Sequence, residues 1–77
     1  MVRVYQETFS KGNQCFLRAE TTINNRSVAQ ELASREKIYK EENVAYRISL
    51  CDDNFVVLVA SEDEFITVVT ISDLEVK

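Results

Sequence analysis

Histidine and proline are absent from this chain, glycine occurs once and cysteine twice, and no long apolar run is present. Each shortage removes a class of function. Without histidine there is no Ser-His-Asp or Cys-His relay to activate a nucleophile. With no histidine and no CxxC pair, Cys15 and Cys51 carry no zinc or redox motif. They read as small buried or half-buried thiols in strands, able to form a disulfide only if those strands are neighbours. A spanning helix needs about 20 consecutive apolar residues, and no stretch here approaches that. Residues 1–9, MVRVYQETF, lack the basic start and apolar core of a secretory signal, so the expectation is a cytoplasmic protein. The missing proline leaves strand edges without one of their usual guards.

What is present suits a binding protein better than an enzyme. The 77 residues suffice for one domain, residues 1–77. A domain of this size has little apolar material to spare for a deep pocket. With 45% hydrophobic and 29% charged residues the chain is globular. The net charge of −4 argues against a nucleic-acid footprint, which is usually basic. Any acidic chain could offer a carboxylate pair, but nothing marks one out, so no enzyme activity, cofactor or metal is expected.

Most of the chain alternates or clusters as β-strand. Residues 2–9 form one strand and residues 14–22 a second, joined at Gly12–Asn13, both of which tolerate a turn with positive φ. Strict alternation puts Cys15, Leu17 and Ala19 on one face and Phe16, Arg18 and Glu20 on the other. In residues 44–52 it puts Val44, Tyr46, Ile48 and Leu50 opposite Arg47, Ser49 and Cys51. FVVLVA, residues 55–60, is apolar throughout, which predicts a strand covered on both faces or central in its sheet. FITVVTI, residues 65–71, is the last strand and is expected at an unprotected edge.

Residues 24–43 hold the one helix. Asn25 or Ser27 can cap it, Ser27 with Gln30 making a capping box; that cap also accounts for the Asn25-Arg26-Ser27 match to a glycosylation acceptor. At about 100° per residue, Val28, Leu32 and Tyr39 form an apolar stripe with Ala29 and Ala33 beside it. Glu36 lies next to the stripe and is expected to meet an arginine or a tyrosine hydroxyl. Arg35 falls just across it, and Ile38 well off it. Glu31, Ser34, Lys37, Glu41 and Glu42 are the polar remainder, with Glu31–Arg35 and Glu36–Lys40 spaced for ion pairs. The order β-β-α-β-β-β with short links predicts an α+β domain: one antiparallel sheet of about five strands packed on one α-helix.

Three groups of side chains could carry function. The acidic turns, Asp52–Asp53 and Glu62-Asp63-Glu64, lack the ligand spacing and glycine of a calcium loop and read as solvated turns or a partner-facing patch. Arg3, Arg18 and Arg47, beside Tyr5, Phe16, Glu7 and Glu20, read first as cross-strand ion pairs. A protein-binding sheet face, or a nucleic-acid surface using Arg3, Arg18, Arg47 and Tyr5, are the other readings. The outer helix face offers Ile38 among charges.

RSVAQELASREK, residues 26–37, leading into AYRISLCDDNFVVLVAS, residues 45–61, is similar to small phage-encoded inhibitor proteins, anti-CRISPR proteins and inhibitors of host RNA polymerase among them. The likeness is architectural, covers a little over half the chain, and assigns no residue by position. It implies a non-enzymatic inhibitor from a phage or mobile element. Such a protein would block a CRISPR-Cas or transcription complex in the host cytoplasm by steric and electrostatic occlusion. Because this chain is acidic, the expected target is a basic protein surface. Candidate contact residues are Arg35, Lys37, Ile38, Glu41, Glu42, Asp52, Asp53, Glu62, Asp63 and Glu64. The competing expectation is self-association, with the residue 65–71 strand as the sheet edge of a homodimer.

Overall fold

The computed structural model describes residues 1–10 and 14–74, Phe16 by its backbone alone. The Gly12–Asn13 turn and the facing of Phe16 lie outside the described residues. Five strands and one helix follow in the expected order: β1 (Val2–Ser10), β2 (Cys15–Ile23), α1 (Val28–Glu41), β3 (Ala45–Asp52), β4 (Phe55–Glu62) and β5 (Phe65–Asp73). They form a single antiparallel sheet in the order β2-β1-β5-β4-β3. This is the predicted α+β architecture.

The helix starts where its sequence says. Ser27 is the N-cap: its Oγ accepts from the Gln30 amide at 3.1 Å, and its own amide donates to Gln30 Oε1 at 2.9 Å. Asn25 is not the cap and sits in the turn before it, at φ 57°. The C-terminus closes with Asn43, also at φ 57°. The Asn43 amide donates to the Lys40 carbonyl at 3.3 Å and the Val44 amide to the Tyr39 carbonyl at 2.9 Å. This pair of bonds is a Schellman motif, with asparagine in the left-handed position more often filled by glycine.

Strand order sets the path of the helix. β2 and β3 are the two edges of the sheet, and β2 ends at the opposite end of the sheet from where β3 begins. The segment between them therefore crosses both the width and the length of the sheet, and the 14 helical residues cover about 21 Å of that path. The helix lies over β5 and β4. Beneath it the core gathers Val2 and Val4 of β1, Val56, Leu58 and Ala60 of β4, and Val69 and Ile71 of β5. Val28 and Tyr39 enter from the helix, with Leu32 and Tyr46 packed at the margin.

The structure corrects four expectations. First, β5 is not an edge: it is the middle strand, paired to β1 on one side and β4 on the other. Second, of the two expectations for β4, a place inside the sheet holds, with β5 and β3 on either side, but cover on both faces does not. Val56, Leu58 and Ala60 are buried under the helix, whereas Phe55, Val57 and Val59 are half-buried on the opposite face, where no further element lies among the described residues. Third, two bulges break strict alternation, because an extra residue turns every later side chain over. Ser49 is the extra residue in β3, so Leu50 pairs with Val57 on the bare face and Cys51 turns to the helix side. In β2 the shift pairs Cys15 with Phe9, bringing its Sγ 3.8 Å from Glu7. Fourth, Cys51 is exposed, and both thiols are free; their strands are opposite edges of the sheet, which rules out a bridge within one chain.

Candidate functional site

Two surfaces stand out: one end of the molecule that collects carboxylates, and the sheet face that carries no helix.

The acidic end follows from topology. β3 begins just after the helix stops, and antiparallel pairing sets Ala45 opposite Ser61, near the end of β4. The helix C-terminus and the β4–β5 turn therefore meet. Glu42, Asn43, Val44, Ala45, Ser61, Glu62 and Asp63 line a shallow cleft of about 340 Å³ there. Glu41 and Glu64 stand one residue away along the chain. No Lys or Arg is among the described lining residues. The negative end of the helix dipole adds to the same field. Asp63, at φ 37°, holds the tight turn in a conformation that Asp tolerates better than most residues. Among the described residues no group of three or more His, Cys, Asp or Glu has a metal-holding arrangement.

Three of the ten candidate contact residues, Glu42, Glu62 and Asp63, thus line one cleft; Glu41 and Glu64 adjoin them in the chain, Glu41 lining a separate depression. Asp52 and Asp53 do not join them; they sit at the far end of β3, about 25 Å away for a strand of this length. Lys37 and Ile38 are on the outer helix face, Ile38 46% exposed. Lys37 borders a shallow depression with Ala33, Glu36, Lys40 and Glu41. Arg35 is not on the outer face. Its Nε donates to Glu31 at 3.0 Å and its Nη1 to Gln6 of β1 at 3.4 Å.

Glu31 is the polar residue that sequence placed wrongly. It is 6% exposed, and its second oxygen faces Arg26 Nε at 2.8 Å. The i,i+4 spacing anticipated its pairing with Arg35. Its burial arises because Arg26 and Arg35 close over it from either side. Ala29 and Ala33, expected beside the stripe, are exposed.

Glu36 meets its expected partner: the Tyr46 hydroxyl donates to its carboxylate at 2.7 Å. That bond to a charged acceptor, with burial adding to it, raises the Tyr46 pKa above the ordinary value. Tyr39, whose ring centroid lies 5.4 Å from that of Tyr46, is also raised. Burial is the main cause, Arg35 opposes it, and the charges of Glu62 and Glu42 reinforce it. The acidic end is felt in the core.

The helix-free face has a charged margin and an apolar middle. At the β1–β2 side, Arg3 pairs with Glu20 at 2.9 Å and Arg18 with Glu7 at 3.2 Å. The Arg3 guanidinium lies 5.7 Å from the Tyr5 ring centre. The register then sets Phe9, Ile66 and Val68, with Val57, Val59 and Phe55, on the same side. The signal for this surface was in the sequence: β4 and β5 have apolar residues for both faces, and one helix covers only one.

Among the described residues no helix is long and apolar enough to cross a membrane. No protein-family model, curated protein or solved structure matches the chain.

Proposed function

We propose that this chain is a non-enzymatic protein-binding inhibitor that presents its acidic end to a basic surface on its target. The observation that carries the proposal is the convergence of Glu42, Glu62 and Asp63, from two separate segments, beside the negative end of the helix. Fields of this kind raise association rates by about 10- to 1,000-fold when the target is oppositely charged. The exposed Ile38 and Lys37, one helical turn before Glu41 and Glu42, supply contact area beyond the charges. Arg35, tied to Glu31 and Gln6, takes no part in the contact.

The architectural likeness to small phage-encoded inhibitors gives the proposal its sharper form. The target is a bacterial defence complex such as CRISPR-Cas, or a transcription complex, in the host cytoplasm. Such machines hold nucleic acid on basic protein surfaces, and an acidic protein end occupies that place by sterics and charge. A nucleic-acid-binding role draws less support, since Arg3 and Arg18 are already engaged by glutamates.

The test is a nuclease-treated pull-down from bacterial lysate with wild-type bait and with an E42K/E62K/D63K variant. The proposal expects a stoichiometric partner that wild type captures, that rising salt releases and that the variant fails to capture. Equal capture by both baits would sink the electrostatic mechanism.

A further inference from the structure

The helix-free face of the sheet is a separate surface from the acidic end, and we infer that it is closed by a second copy of this chain, two sheets packing face to face as a sandwich. The first argument is area. Five strands about 4.8 Å apart and about 26 Å long present roughly 600 Å². Two such faces together bury about 1,200 Å², where stable protein interfaces begin. A contiguous apolar patch of several hundred Å² is uncommon on a monomer unless it meets something. Here Leu50 is 53% exposed on the edge strand, and Ile66 is exposed near one end of the patch.

The second argument is charge. By register the charged residues of this face are Arg3, Arg18 and Arg47 against Glu7, Glu20 and Asp52. Among the described residues three positive and three negative sum to zero on this face, against −4 for the chain as a whole. A nucleic acid would need a positive surplus here, and a basic protein a negative one. A neutral face with alternating signs suits its own copy. A two-fold axis running across the strands at mid-height lays Val57 over the second copy's Val59. It also sets Glu20 over the second copy's Arg18, with Arg47 over Leu50 and Glu7 over Tyr5. Sheets in such sandwiches stand about 10 Å apart, the reach of two interleaved layers of Val and Phe.

The association carries its own salt signature. Each copy brings −4, held mainly outside the contact, so salt screens repulsion between copies and tightens the dimer. Binding of a basic target at the acidic end responds in the opposite sense. The two readings therefore fail separately.

Sedimentation equilibrium of the full chain, from micromolar to millimolar protein at low and high salt, tests the inference. The expected result is a shift from 8.9 kDa to twice that mass, at lower concentration in high salt. Val59→Lys, at the centre of the face, should weaken dimerisation by about tenfold or more, whereas Ala29→Lys on the exposed helix surface should not. If circular dichroism shows Val59→Lys unfolded, the Val57→Thr/Val59→Thr pair, which keeps side-chain shape, gives the same readout. A wild-type chain that stays at 8.9 kDa throughout overturns the inference, as does a folded Val59→Lys that dimerises like wild type.

Discussion

Replacing Glu31 by glutamine removes one charge from a nearly closed site and keeps its shape. The Glu31 side chain is 8% exposed, with Arg26 at 2.8 Å and Arg35 at 3.0 Å. At an effective dielectric of about 20, each contact is worth roughly 4 kcal/mol of attraction before desolvation. Desolvation takes back several kcal/mol per buried ion. Removing one partner of a fully buried pair typically costs about 3–5 kcal/mol, because the remaining charge is stranded. Here the arginine side chains keep 34% and 27% of their exposure, so water relieves part of that cost. We expect a loss of about 2 kcal/mol, from a total that for 77 residues is about 4–12 kcal/mol. Urea unfolding followed by circular dichroism measures it as a lower midpoint at unchanged slope. The triple replacement R26M/E31L/R35M should recover most of the loss, since an apolar cluster of similar volume strands no charge. A change within about 0.5 kcal/mol for Glu31→Gln, the scatter of ordinary surface substitutions, would refute the view that this carboxylate is enclosed by its two arginines.

Three further perturbations probe other parts of the fold. Tyr39 and Tyr46 have folded pKa values raised above the ordinary value near 10, so folding favours their neutral forms. Their contribution is full below about pH 10 and disappears as pH rises through the raised values; tyrosinate absorbance should show a late phase that shrinks in Tyr46→Phe, and a single transition near the ordinary value would contradict the Tyr46–Glu36 bond. Asn43→Ala forces a side chain with no local hydrogen bond into the left-handed position and should cost about 1 kcal/mol, while Asn43→Gly should be neutral or stabilising in the same urea assay; equal losses for both would mean the Schellman closure is not as described. Leu58→Ala empties a fully buried position under the helix and should cost about 2–5 kcal/mol; a smaller loss in thermal or urea unfolding would place the core elsewhere.

Features that depend on neighbours along the chain were legible in the residues. The capping box at Ser27 and Gln30, the Glu31–Arg35 spacing and the helical phase that sent Glu36 toward a tyrosine hydroxyl rest on contacts within a few residues, or on a period that sequence displays. That the strand arginines would pair with interleaved glutamates was legible too, though only the register chose Glu20 for Arg3 and Glu7 for Arg18. The acidic residues of the candidate site could be named but not grouped. Only strand pairing brings Glu62 and Asp63 to Glu42 and sends Asp53 to the other end.

The sequence by itself determined that this chain makes one helix and five strands, that the strands lie antiparallel, and that chemistry relying on histidine is closed to it. Tertiary structure decided which strands are neighbours, which face the helix covers and where the charges gather. The reason is that strand ladders are built from backbone groups every residue shares, so pairing leaves little mark on composition. β5 could have ended at an edge by its residues alone. It is central because β2 and β3, the strands the helix joins, form the two edges, and their hairpin partners β1 and β4 take β5 between them. The bulge at Ser49 is as quiet in the sequence, yet it moved Leu50 onto the bare face and Cys51 off it. Glu31 shows the same limit at one side chain, its burial set by two arginines folding over it.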